Sequence, residues 1–562
     1  MNASLFRRTM AQIATLRGTK ASSEIKVPTG LFINNEFVPS VDSQELLHAV
    51  NPLTEEVLCS VVAASPKDID LAVAAARKAF NTTWGKNVGP WERARLINKL
   101  ADLIEANATE LAELESLNNG KPFKVARDFD IGDSVQCLRY YAGWADKLGG
   151  ETLEIDNKTK FAFTKRDPIG TSFPSTILWF VVVLRSLLKL KTLQNMIAWK
   201  WGPALAVGCT LVLKPSEVTP LTALKLAEWV KEAGFPPGVI NVVNSYGAMD
   251  VDKIAFTGST ATGRKIMEAA AKSNLKKVSL ELGGKSPHLI FESCDLDQAA
   301  SWAALGICYN SGQDCTAGSR VYVQESIQEK FIEALVSKVK QLSFGDGLDE
   351  ATSAGPLVSK AQYDRVWGYI ESGKAEGAQV ILGGTKRSGK GFFVDPTIFV
   401  GIQPHMKIVK EEVYFRAVSV SAVLNPSQIF GPVLCVGTFK TEEEAIRLAN
   451  DTTYGLGAGL HSTDANQCMR VSSALEAGTV WVNSYNILSN NTPFVFSFFL
   501  LVLMKMLNRL SPLTQVRWQE AIRLRFGLPT IRRELGSLAL EEYTSTKAVH
   551  WNFGEKLDWP AF

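Results

Sequence analysis

Histidine is scarce in this chain. Its five residues, His48, His288, His405, His461 and His550, are too widely separated to form a helical metal pair or a local Cys-His dyad. If the protein is a catalyst, histidine is not expected to be its base, and no metal is expected. The eight cysteines include no C-x-x-C pair and no regular spacing, which excludes a disulfide framework or zinc knuckle and fits a reducing compartment. An excess of either charge is also missing. The 60 basic and 57 acidic residues leave a formal charge of +3 with no basic block, so no nucleic-acid partner is expected. Nor is there a long hydrophobic run. "TILWFVVVL" from Thr176 and "FVFSFFLLVLM" from Phe494 each run into Arg or Lys well short of the roughly 20 residues a spanning helix needs. No membrane partner is expected.

What is present suits a globular protein of two or three domains: 562 residues, 46% hydrophobic and 21% charged. The first 23 residues carry Arg7, Arg8, Arg17 and Lys20 with several hydroxyl residues and no acid. That pattern suits an organelle-targeting presequence, with a solvated extension as the alternative. From Ser65 to Leu117 apolar residues recur at three and four, predicting amphipathic helices with Asp68 and Glu92 near their positive ends. "TLVLKPSE", "TALKLAEWVKEAG", "GVINVVN", "KIAFTGST", "GRKIMEAAAK" and "KVSLELGG" then alternate strand-like and helix-like patterns, the mark of βαβ units and a parallel sheet. A second series of this kind begins near Val321, and the boundary between the two domains is expected near Glu281 to Cys294.

Four stretches carry chemistry. In "KIAFTGSTATGRKIM" a strand runs into Gly258, Ser259 and Thr260 before a helix, a turn whose amides could approach a phosphate; a plain tight turn would read the same. In "LVLKPSEVTP", Lys214 and Glu217 leave a strand end where a carboxylate could accept from ribose hydroxyls, although a solvated loop is the simpler reading. In "SLELGGKSPHLIF", Glu281 closes an apolar strand, where burial would raise its pKa toward proton transfer near neutrality; the alternative is a cap for the next turn. "ICYNSGQDCTAGSR" places Cys315 among small residues, either as a nucleophile or as a small buried side chain.

With "KPSE", "FTGST", "LELGGKSP", "GQDCTAGSR", "VDPTIF", "IFGPV", "YGLGAG" and "GTVWVN" in this order, the chain resembles the NAD(P)-dependent aldehyde dehydrogenase superfamily, in its fungal type, from "GLFINNEFVPS" to "EEYTSTKAVHWNFGEK". The resemblance implies an α/β fold, aldehyde dehydrogenase-like, with a Rossmann-type cofactor domain, an α/β catalytic domain and small oligomerisation strands. It implies oxidation of a small-molecule aldehyde to a carboxylic acid through a cysteine thiohemiacetal and thioester. Cys315 would be the nucleophile and Glu281 the base that activates hydrolytic water. Lys214 and Glu217 would contact the adenosine ribose, Gly258 and Ser259 would form the cofactor turn, and Glu412 and Phe430 would hold the nicotinamide end. Trp199 would line the substrate tunnel. The cofactor would be NAD, with NADP possible, and Glu217 favours NAD. A homodimer or homotetramer and a mitochondrial or cytoplasmic location are implied. The expected division is 1–25 targeting extension, 26–285 NAD-binding domain, 286–485 catalytic domain, 486–532 disrupted or inserted segment, and 533–562 oligomerisation tail.

The chain departs from the family in several places. Where the family has P-W-N-F-P, whose asparagine donates to the oxyanion, this chain reads "TSFPSTILWFVVVLRSLLKLKTLQN", so that motif and a core strand are expected to be absent. Asn195 has the wrong neighbours for the role, and losing such a donor costs about 10²–10³ in rate. After "INVVNSYG" the chain passes almost directly to "MDVDKIAF", omitting a helix. The stretches "VYFRAVSVSAVLNPSQ" and Val495 to about Thr530 interrupt the pattern and read as translated intron sequence; functional loops are the alternative. The competing functional reading is therefore an impaired or dead relative with a structural or binding role.

Overall fold

The alternating pattern folds as two α/β layers in a computed structural model of the chain. It describes residues 13–22, 24–156, 160–169, 182–183, 193–244, 251–410, 429–452, 454–496 and 532–553. In the first half, strands Leu211–Leu213 and Ile240–Val242 lie parallel, joined by the helix Leu221–Ala233. Strand Leu31–Ile33 adds antiparallel to Ile240–Val242, and Glu36–Val38 completes that edge. The other edge is Val182–Val183, parallel to Leu211–Leu213. The core strand expected to be missing thus has a two-residue substitute, drawn from the apolar run that replaces P-W-N-F-P. A second parallel pair, Lys253–Thr257 with Lys277–Glu281, is connected by the helix Thr260–Lys272.

A seven-stranded sheet forms the second half. Its order is Gln379–Leu382, Thr397–Val400, Val433–Phe439, Arg320–Gln324, Pro287–Ile290, Gly457–His461 and Thr479–Val482. Every pairing is parallel except at the Gln379–Leu382 edge. The sheets change over between Glu281 and Pro287. The C-terminal strand Thr544–Asn552 pairs antiparallel with Lys160–Pro168, and that strand pairs with Thr152–Asp156.

The spacing read from Ser65 onward resolves into three helices, Pro66–Thr82, Pro90–Ala106 and Ala108–Asn119. Ser65 and Asp68 form a reciprocal capping box at the start of the first, and Glu92 sits in the first turn of the second. Proline in the first turn of each fits, because its missing N–H has no helical acceptor there.

The stretch expected as a separate extension is built into the fold from Ile13 onward; residues 1–12 lie outside the described residues. Strand Ile13–Arg17 pairs antiparallel with Glu24–Pro28, and Leu16 is buried. The following turn wraps the carboxylate of Glu113, which is fully buried. Glu113 accepts the N–H groups of Thr19, Lys20 (3.0 Å) and Ala21 (2.9 Å) and the Thr19 hydroxyl (3.0 Å). Three converging amides balance a buried carboxylate that would otherwise be costly. Glu113→Ala leaves those donors unsatisfied and is expected to cost about 3 kcal/mol. The readout is the denaturant midpoint together with protease cleavage in the Ile13–Pro28 hairpin; an unchanged midpoint would contradict this account.

Candidate functional site

The strand end at Glu281 organises the site. Thr257 faces Glu281 across the parallel pair, and the next residue, Gly258, donates its N–H to the Glu281 carbonyl at 2.8 Å. A Cβ on Gly258 would come within 2.1 Å of the Phe256 ring, so the close turn requires glycine. Ser259 caps the helix Thr260–Lys272, its hydroxyl accepting from the Thr262 N–H at 3.3 Å, and no acid occupies that helix's first turn.

Cys315 approaches the turn after Glu281 from a later loop. Its loop follows the helix Leu296–Cys308 through Asn310, Ser311 and Gly312, which all have positive φ (53°, 56° and 68°). A Cβ on Gly312 would lie 2.2 Å from the Gly431 carbonyl, and one on Gly284 would lie 2.6 Å from that of Cys315. The cysteine loop is therefore wedged between the turn after Glu281 and the segment after Phe430. Gln313, fully buried, ties the loop down by accepting from the Val358 N–H at 3.1 Å. The Tyr485 hydroxyl donates to the Thr316 carbonyl at 2.9 Å.

The surroundings of the thiol are acidic. Burial first, then the carboxylates of Asp314, Glu281 and Glu534, push the Cys315 thiol well above its ordinary value. Glu534 is paired with the fully buried Lys200 at 2.5 Å, and Lys200 also donates to the Thr257 hydroxyl at 2.7 Å. The ion pair thus spans from the C-terminal segment to the strand beside Glu281.

The structure places the other residues singled out by sequence as follows. Phe430 (φ 51°) is buried in one apolar cluster with Phe256, Leu280 and Leu282, against which Cys315 packs, and its carbonyl accepts from Gln362 at 2.8 Å. Lys214 and Glu217 meet at the end of Leu211–Leu213: the Lys214 ammonium donates to Glu217 at 2.7 Å and to the Pro215 carbonyl at 2.8 Å. Trp199 is buried in the same cluster as Phe430, 5.8 Å from the Phe494 ring, and donates its indole N–H to Asp133 at 3.2 Å. Asn195 donates to that same Asp133 oxygen at 3.0 Å, so its amide is already engaged away from the cysteine. Glu412 lies outside the described residues. Among the described residues no cluster of three or more metal-ligating side chains occurs, and no helix is long and apolar enough to cross a membrane.

Lys200 and Glu534 went unnoticed as site residues. Lys200 lies in "AWKWGPALA" and Glu534 in "RRELG". The available signal was a lysine flanked by two tryptophans, which implies a buried ammonium in need of a carboxylate.

The family model "Aldehyde dehydrogenase family" matches residues 37–496. The chain belongs to the aldehyde dehydrogenase family. It is 44% identical over 548 residues to an aldehyde dehydrogenase of Alternaria alternata, covering 96% of this chain and 98% of that protein. Aldehyde dehydrogenase 1A1 of Rattus norvegicus is 42% identical over 539 residues, covering 94% and 96%. The NAD+ complex structure of aldehyde dehydrogenase from Bacillus cereus superposes with a TM-score of 0.80 at 41% identity, covering 94% of this chain and 97% of that one.

Proposed function

We propose that this member of the family oxidises an aldehyde to a carboxylic acid with NAD, using Cys315 as nucleophile and Glu281 as base. One observation carries the reading: the Cys315 loop is wedged against the turn that follows Glu281, where a Cβ on Gly284 would lie 2.6 Å from the Cys315 carbonyl, and Cys315 packs on the cluster that holds Leu280 and Leu282. The Cys315 thiol gives up its proton to solvent, the thiolate attacks the aldehyde carbon, and the carbonyl electrons move to oxygen, where the backbone N–H of Cys315 would be the donor. NAD, when bound, supplies the acceptor for the hydride that leaves this carbon. Glu281 then takes a proton from water as it attacks the thioester, and the carbon–sulfur bond breaks to return the thiol.

The residues fit a dinucleotide. Lys214 and Glu217 offer an ammonium and a carboxylate at one strand end. Beside the next lies the N-terminus of Thr260–Lys272, free of acid in its first turn, with Ser259 and Gly258 leading into it. Phe430 would pack at the nicotinamide end, with Glu412, and Trp199 would bound the aldehyde. The Glu217 carboxylate repels a 2′-phosphate, so NAD is preferred to NADP.

In this reading residues 26–285 form the cofactor domain and 286–485 the catalytic domain. The C-terminal strand supports a homodimer or homotetramer. Trp551 is 56% exposed and stacks on Phe161 at 5.9 Å, and Phe553, 52% exposed, lies 6.1 Å from Phe161. That leaves an aromatic face for a second copy. All eight cysteines are free, which suits a mitochondrial or cytoplasmic location. A leader would be confined to residues before the Ile13 strand, because the hairpin beyond it is part of the core.

The purified protein is expected to bind NAD more tightly than NADP and to form NADH with a small aldehyde. Glu217→Gln is expected to narrow the cofactor preference about tenfold, read from kcat/KM with each cofactor. Cofactor binding without NADH formation across a panel of aldehydes would favour the turnover-less relative.

A further inference from the structure

Asp133 has no part in the reaction just described, yet three side chains from elsewhere in the chain converge on its carboxylate. It stands in the first turn of the helix Gly132–Ala142. The Trp199 indole and the Asn195 amide, one turn apart on the helix Leu193–Val207, donate to one oxygen at 3.2 Å and 3.0 Å. The Asn490 amide donates to the other at 3.0 Å. All three partners donate, as an ionised carboxylate requires, and all three are neutral. Asp130, three residues earlier, is by contrast paired with the buried Lys121. The Asp133 charge is thus fixed in place without being cancelled by these partners. Asp133, Asn195 and Asn490 are each half-buried, whereas Trp199 is buried, with its ring 5.8 Å from that of Phe494. A polar rim with one anchored charge stands beside an aromatic wall.

We propose that Asp133 is a specificity-determining residue: its charge stands on the path of the aldehyde and selects neutral aldehydes over those that carry a carboxylate of their own. The proposal rests on Trp199 bounding the aldehyde. A like charge brought beside a half-buried carboxylate is screened less than in open water, so the anionic substrate meets a repulsion that the neutral one does not. Discrimination of this kind acts by rejecting the wrong substrate and needs no added contact to the right one. The three donors hold the charge where that rejection is felt and keep the carboxylate from swinging out to solvent.

The test compares hexanal with 6-oxohexanoate, which has the same chain length and a carboxylate at its trailing end. The readout is kcat/KM for each at saturating NAD. The wild type is expected to favour hexanal. Asp133→Asn removes the charge and keeps an acceptor for the Trp199 indole; Asn490, whose side-chain oxygen makes no hydrogen bond among the described residues, can turn its amide to accept from the new N–H group. In that variant kcat/KM for 6-oxohexanoate should rise about tenfold and that for hexanal change less than about twofold. Structural damage alone would lower both together. Should the variant not fold, the wild type carries the test: raising the ionic strength from about 0.02 M to about 0.5 M should shift the ratio several-fold toward 6-oxohexanoate. A wild-type preference for 6-oxohexanoate overturns the proposal. So does a ratio unmoved in Asp133→Asn, or unmoved by salt where only the wild type folds. NADH from neither aldehyde in the wild type would instead overturn the oxidation reading itself.

Discussion

Replacing Cys315 by alanine is expected to abolish aldehyde oxidation, with kcat/KM falling on the order of 10⁴-fold or more. The size follows from the mechanism, because without the sulfur there is no covalent adduct and hence no path to a thioester. On the proposed mechanism Glu281 acts on water, and Lys200 and Glu534 are engaged with each other and Thr257, so neither supplies a substitute. Truncation to alanine leaves the loop's supports in place: Gln313, Tyr485 and the contact with Gly284 do not involve the thiol. Stability should therefore change little, and a large loss of turnover at an unchanged denaturant midpoint is the signature to look for. Glu281→Gln is the informative contrast. It should lower turnover about 10²–10⁴-fold while still allowing the sulfur to be acylated, so intact-protein mass spectrometry should find an acyl adduct in that variant and none in Cys315→Ala. An adduct in both, or in neither while turnover persists, would remove Cys315 from the reaction.

The parts of this site that sequence made legible are those written locally. Glu281 ends an apolar run beside two glycines, and Cys315 stands in a stretch too rich in small residues to be ordinary core. The helices from Ser65 onward follow from spacing, proline and the Ser65–Asp68 cap, and the last strand from the pattern around Thr544 to Asn552. What stayed hidden depends on chain segments meeting only in three dimensions. The Lys200–Glu534 pair, the donors gathered on Asp133 and the amides of Thr19 to Ala21 on Glu113 have no signature at one place in the chain. The departures from the family pattern divide in the same way. Val182–Val183 pairs parallel with Leu211–Leu213 although the motif around it is replaced. Phe494–Phe496 pairs with Arg532–Glu534, placing Phe494 opposite Glu534, so the flanks of the interrupting segment are neighbours. The readings made on "VYFRAVSVSAVLNPSQ", on 497–530 and on Glu412 lie outside the described residues.

Acid should unfold this protein earlier than its carboxylates alone would dictate, because two imidazoles are buried in neutral form. His288 is fully buried on the strand Pro287–Ile290, with neither ring nitrogen hydrogen-bonded, and His461 lies on the neighbouring strand Gly457–His461, opposite Ile290, with its Nε2 also unsatisfied. The rings lie 4.8 Å apart, and the other side of His288 stacks on Tyr485 at 4.5 Å. Burial lowers the His461 pKa from 6.5 to about 4 against a small opposing pull from Asp295; burial and then His461 lower that of His288 as well. Both folded-state values are depressed, so the unfolded chain binds protons that the folded chain refuses. The associated stability is complete above pH 6.5 and falls as pH drops from there toward about 4. For His461 alone the loss is about 3 kcal/mol at the lower end, and His288 adds to it. Glu542, held down to about 2 by Lys253 and Lys277, loses its contribution only below its ordinary 4.5, while burial raises the carboxyls of Glu115, Asp130 and Asp133, which favours the folded chain as pH falls, so the loss between 6.5 and 4.5 is that of the imidazoles. The denaturant midpoint should therefore drop steeply across that window in the wild type and much less in His288→Leu combined with His461→Leu. Activity should fail with it, because Tyr485, stacked on His288, is the residue whose hydroxyl holds the Thr316 carbonyl next to Cys315. Equal slopes in the two proteins would place the acid sensitivity elsewhere.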